Sequence, residues 1–135
     1  MKVFLDTNVL LSGLFGTGLC ARLLDLLVGD AIAVLLDDRV LGEFERIARD
    51  KLQVADDDLA RASEFLRRHC VIVPAAARPA SGVPDPDDAP IIAAAIQAQA
   101  SVFVTGDKAL LELVLIDGLP IVSPRTAYER LRGLA

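Results

Sequence analysis

Five short aliphatic runs punctuate this chain. They lie at 3–5 ("VFL"), 31–36 ("AIAVLL"), 70–74 ("CVIVP"), 101–107 ("SVFVTGD") and 119–124 ("LPIVSP"). None alternates apolar with polar residues, as a strand with one wet face would, so each is expected to be a strand covered on both sides. Between them the apolar residues recur at helical spacing. Leu19, Leu23, Leu26 and Leu27 form one such stripe, halted at Gly29 and Asp30. Asp37 and Asp38 are N-cap candidates for a helix to about Lys51, with Val40, Phe44, Ile47 and Ala48 inward and Glu45, Arg46 and Arg49 on the wetter side. Asp56–Asp58 open another helix, carrying Leu59, Ala62, Phe65 and Leu66. Residues 88–100 and 108–116 read as helices, and Ser123 with Pro124 makes a cap and first-turn pair for a last one to about Gly133.

Strands alternating with helices imply a parallel sheet with right-handed crossovers. The expected fold is therefore α/β, a three-layer α/β/α domain spanning residues 1–135 around a mostly parallel five-stranded sheet. The proline-rich stretch at 74–87 is an irregular connection, too short to divide two domains. An apolar content of 53% with only 4% aromatics demands a core of Leu, Val, Ile and Ala. The apolar stretches are broken by Asp25, Asp30, Gln97 and Gln99 before reaching the ~20 residues of a membrane span. No secretory leader is visible, and Cys20 and Cys70 lack metal or redox spacing. A cytoplasmic protein with free thiols is expected.

In parallel sheets ligands bind beyond the carboxyl ends of the strands. Asp6 follows the first run directly, and no helix is expected to begin there. Asp107 follows the fourth run by way of Thr105 and Gly106. Asp88 opens the helix leading into that run, preceded by Asp85, and Glu43 borders the apolar stripe of its helix, where it should have a partner. Asp88 and Asp107 also suit plain helix caps, and Glu43 a solvated position. Together, however, carboxylates at one sheet edge repel unless a cation sits among them. Oxygen ligands without His or Cys select Mg²⁺ or Mn²⁺, and such an ion assists phosphoryl chemistry by polarising the phosphate and activating water. The lone His69 reads as a packing or surface residue. A net charge of −5 excludes attraction of nucleic acid by bulk charge, so any polyanion must be neutralised locally.

Four stretches resemble the PIN domain family of metal-dependent nucleases, which includes many toxin–antitoxin toxins. "VFLDTNVLLSG" is similar to its opening strand, with Asp6, Thr7, Asn8 and Ser12. "LGEFERI" resembles the helix bearing its glutamate, here Glu43. "DPDDAPIIAAA" resembles the start of the helix with a third acid, matched by Asp88, with Asp85 in support. "VFVTGDKALL" resembles the strand end with the fourth acid, Asp107, beside Thr105 and Lys108. The resemblance implies cleavage of single-stranded RNA, with Asp6, Glu43, Asp88 and Asp107 holding Mg²⁺ or Mn²⁺. It also implies a homodimer and a cognate antitoxin. Asn8 and Thr105 would orient ligands or water, and Lys108, Arg46 and Arg49 are candidate substrate contacts.

Other readings fit less well. A haloacid dehalogenase-type phosphotransferase needs a second Asp where Asn8 stands, and a phospho-receiver needs an Asp where the third run ends in Val73-Pro74. A PIN-like module that binds RNA or protein without cutting is the non-enzymatic alternative.

Overall fold

The computed structural model describes residues 1–133. Four of its strands, β1 (Lys2–Leu5), β2 (Ala33–Asp37), β3 (Cys70–Val73) and β4 (Val102–Val104), pair in parallel. β6 (Leu119–Val122) joins β4 in parallel, and β5 (Leu115–Ile116) pairs antiparallel with β6. The sheet order is β3-β2-β1-β4-β6-β5. Val3, Phe4 and Leu5 are all buried, as a strand with both faces covered requires. Phe4 stacks on Phe103 of β4 with ring centroids 5.4 Å apart.

Among the described residues the helices are α1 (Thr7–Phe15), α2 (Leu19–Gly29), α3 (Asp38–Asp50), α4 (Asp56–His69), α5 (Ala89–Gln97), α6 (Lys108–Leu111) and α7 (Pro124–Leu131). From β1 the chain steps outward to β2 and β3, then returns across the sheet to β4 and continues to β6. Right-handed crossovers consequently put α1–α4 on one face and α5 on the other. α7 comes back to pack on α2, and Phe15 of α1 stacks on Phe44 of α3 at 5.6 Å. The expected α/β layering holds. No single helix among the described residues is long and apolar enough to cross a membrane; α1 and α2 reach that length only together, and they meet at 93°.

The structure departs from the sequence expectation in three places. A helix does begin after Asp6: "TNVLLSGLF" has apolar residues on most sides and no clear stripe, so periodicity hides it. It ends at Gly16, where a Cβ would stand 2.6 Å from the Ser12 carbonyl oxygen. The expected helix at 108–116 stops at Leu111, and β5 supplies a sixth strand. Asp117 and Gly118 both have positive φ (47° and 82°), the requirement of a two-residue hairpin turn, and this Asp-Gly pair folds β5 back onto β6. Finally, Glu45 is half-buried rather than wet, accepting a hydrogen bond from the Ser63 hydroxyl of α4 at 3.1 Å.

Both cysteines are free thiols, and burial pushes the Cys70 thiol up to about 12, which leaves it inert as a nucleophile.

Candidate active site

The strand order reverses between β1 and β4, and the crevice beyond their carboxyl ends is where such sheets place ligands. Leu5 pairs with Val104, so the next residues, Asp6 and Thr105, face each other across the crevice. The Asp6 N–H continues the ladder by donating to the Val104 carbonyl at 3.0 Å. Its side chain, only 7% exposed, is supplied with three donors. Oδ1 accepts from the Thr7 N–H (2.8 Å), which makes Asp6 the N-cap of α1, while Oδ2 accepts from Thr105 Oγ1 (2.7 Å) and Asn8 Nδ2 (3.3 Å).

Thr105, fully buried, is the hub of this network. Its hydroxyl donates to Asp6 and accepts from the Asp107 N–H at 3.0 Å. Asn8 makes a second bridge, its Oδ1 accepting from the Gly106 N–H at 3.1 Å. Residues 99 apart in sequence are thereby locked together by two side chains. The Gly106 main chain as an anchor was not legible in the sequence; only the glycine between Thr105 and Asp107 hinted at it.

Burial pushes the Asp6 carboxyl up, opposed by the Thr105 and Thr7 hydrogen bonds and reinforced by the charges of Glu43 and Asp107. Asp88, at the start of α5, is pushed up to about 6. Burial is the first cause, followed by the charges of Asp6, Asp85, Asp107 and Glu43. Carboxylates from β1, α3, the 85–88 turn and the end of β4 therefore act on one another across a single edge of the sheet. The capping alternatives divide. Asp107 does cap α6, its Oδ1 accepting from the Ala109 N–H at 2.9 Å, but Asp88 spends no side-chain oxygen on capping α5. Asp85 is exposed and folds its own turn, accepting from the Asp87 N–H at 2.9 Å. Glu43 is half-buried and has no hydrogen-bond partner among the described residues; its neighbours are the other charges rather than a donor.

The other expected residues lie around this centre or outside it. Thr7 is buried with its hydroxyl unpartnered, and Ser12 is exposed one turn beyond Asn8. Lys108 is exposed directly after Asp107. Arg46 is exposed one turn from Glu43, while Arg49 pairs with Asp50 at 3.5 Å.

The donor set is all oxygen and suits a hard divalent cation, whose charge would relieve the repulsion that adds to burial in raising Asp88. No three Asp, Glu, His or Cys side chains among the described residues are close enough to grip one ion directly. An ion here would be held partly through water, as Mg²⁺, which dehydrates reluctantly, commonly is. The chemistry of the donor set suits such an ion, while the spacing of the carboxylates does not by itself complete its shell. A concavity of about 650 Å³ lies elsewhere, between the end of α1 and the start of α4, and none of Asp6, Glu43, Asp88 and Asp107 lines it.

The solved structure of VapBC2 from Rickettsia felis, bound to a DNA fragment from their promoter, matches this fold with a TM-score of 0.64. The match covers 91% of this chain and 98% of that one at 15% identity, a likeness of fold. No curated protein matches the sequence. A PIN domain family model matches residues 2–109, from β1 through the acid at the end of β4 and into α6, so the chain belongs to the PIN domain family.

Proposed function

We propose that this PIN domain is a Mg²⁺- or Mn²⁺-dependent endoribonuclease that hydrolyses single-stranded RNA as the toxin of a toxin–antitoxin pair. The observation that carries this reading is the gathering of acidic side chains from four separate segments beyond the carboxyl ends of β1 and β4. Such crowding costs folding stability unless it serves a cation. In this reading Asp6, Glu43, Asp88 and Asp107 hold the ion, with Asp85 in support. The bound ion supplies charge stabilisation at the phosphate and activation of a water.

The chain's own residues hold the geometry. Three donors fix the direction of the Asp6 carboxyl and oppose the upward push of burial, and the Thr105 hydroxyl sets the spacing between Asp6 and the Asp107 main chain. Lys108 and Arg46 stand exposed beside Asp107 and Glu43, within reach of a phosphate backbone. The fold shared with VapBC2 supports an antitoxin partner for this chain, and a cytoplasmic homodimer belongs to the same reading.

The test is an assay on mixed RNA with Mn²⁺. Wild type is expected to cleave, and Asp6→Asn and Asp107→Asn to lose the activity. Equal rates for all three would remove the enzyme. RNA bound equally with and without metal, and never cut, would favour a silent binding module instead.

A further inference from the structure

Gly42 lies inside α3, where glycine is the least favourable residue short of proline. No packing contact explains it. The position is exposed, and a Cβ there would meet nothing within 4 Å. Its surroundings are distinctive. Arg39 precedes it by three residues, Glu43 adjoins it, and Arg46 follows by four, which places all of them on one helical face.

Both arginines are exposed. Arg39 and Arg46, like Arg22, Arg67, Arg78 and Arg130, form no ion pair among the described residues, although Glu43 stands one turn from each of the first two. What sets this pair apart is position: the two exposed guanidinium groups bracket Gly42 on one face, although the charge of Arg39 also acts on the Asp37 carboxyl. Glu43 acts electrostatically on Asp6 and Asp88, so this face adjoins the acid site.

We propose that the Arg39–Gly42–Arg46 face of α3 seats the sugar–phosphate backbone of the single-stranded RNA on its way into the acid site. Arg39 and Arg46 stand about 10 Å apart along the helix axis and bracket Gly42. Each takes a phosphate by charge-assisted hydrogen bonds. The bare main chain at Gly42 lets the strand lie close enough to pass over Glu43. Helix stability is given up at Gly42 for access. The assignment rests on the nuclease reading above.

The experiment follows binding of a labelled single-stranded oligoribonucleotide to Asp107→Asn protein over a range of salt, and cleavage by the otherwise wild-type chain. Arg39→Gln and Arg46→Gln are each expected to weaken binding about tenfold at low salt and to flatten the log–log salt slope by about 0.7. Gly42→Ala is expected to raise Tm by about 3 °C while weakening binding and cleavage at least threefold, roughly the loss of close approach by one contact. Arg68→Gln, at the far end of α4, should change neither. If Gly42→Ala and both arginine variants bind and cut like an active wild type, the track is overturned and the nuclease stands. A wild type that neither binds nor cuts overturns both.

Discussion

Asp6 and Asp37 end neighbouring parallel strands, both nearly fully buried and each capping the helix that follows. Burial raises the pKa of both. Their partners separate them. Asp6 receives three donors, one from Thr105 on the opposite side of the crevice, and feels the charges of Glu43 and Asp107. Asp37 receives one, the Val40 N–H on Oδ1 at 3.0 Å, and its buried Oδ2 has none among the described residues. The charges it feels are those of Arg39 and Asp38, next to it in sequence. A strand-Asp-helix junction is thus a local solution to helix capping wherever it occurs. It becomes part of a site only where the sheet order reverses and a second strand end brings donors and further acids to it.

The largest effect separates the two by activity. Asp6→Asn keeps the cap but removes a charge from the acid cluster, and RNA cleavage in Mn²⁺ should fall by at least about 10³-fold. Asp37→Ser should stay within about twofold of wild type. Equal losses in the two variants would break the comparison, because burial and capping alone would then decide importance.

A smaller effect probes the cross-strand donor. Thr105→Val preserves shape but strips Asp6 Oδ2 of its shortest hydrogen bond and orphans the Asp107 N–H. A loss of about 2 kcal/mol is expected in urea unfolding at neutral pH. A loss below about 0.5 kcal/mol would mean that Asn8 and solvent hold Asp6 without it, and the distinction between the two aspartates would rest on charge alone.

How far the sequence disclosed this difference follows from what is local. Five of the strands were legible because they are short, uniformly apolar and bounded by breakers, and Asp6, Asp88 and Asp107 stood out because each follows or opens an element whose position was clear, whereas Glu43, inside α3, did so only by bordering an apolar stripe. Ser123 as the cap of α7 is equally local, and its Oγ accepts from the Thr126 N–H at 3.1 Å. The helix after Asp6 was missed since its apolar residues form no stripe, and so the capping role of Asp6 was missed with it. The Asp117-Gly118 hairpin signal was present but lay under a strong run of helix-forming residues, "KALLELVL", that overrode it. The Thr105–Asp6 and Asn8–Gly106 bridges were beyond reach: a parallel sheet puts both strand ends at one edge, but nothing in the sequence states that these two strands are neighbours within it.

The smallest effects isolate what Asp37 does. Serine caps as well as aspartate and carries no charge, whereas alanine does not cap, so Asp37→Ser should exceed Asp37→Ala in stability by about 1 kcal/mol at any pH. Against wild type the serine variant should show a pH dependence of definite sign. The folded carboxyl of Asp37 holds its proton more tightly than the unfolded one, whose value is 3.8. Its favourable contribution is therefore complete below that value and is lost as pH rises through the folded pKa. The serine variant has no such loss, so its margin over wild type should widen between pH 3.5 and 7, measured by urea unfolding at each pH. A margin that stayed flat would mean that Oδ2 meets solvent or a donor after all, and Asp37 would then resemble Asp6 more closely than its partners imply.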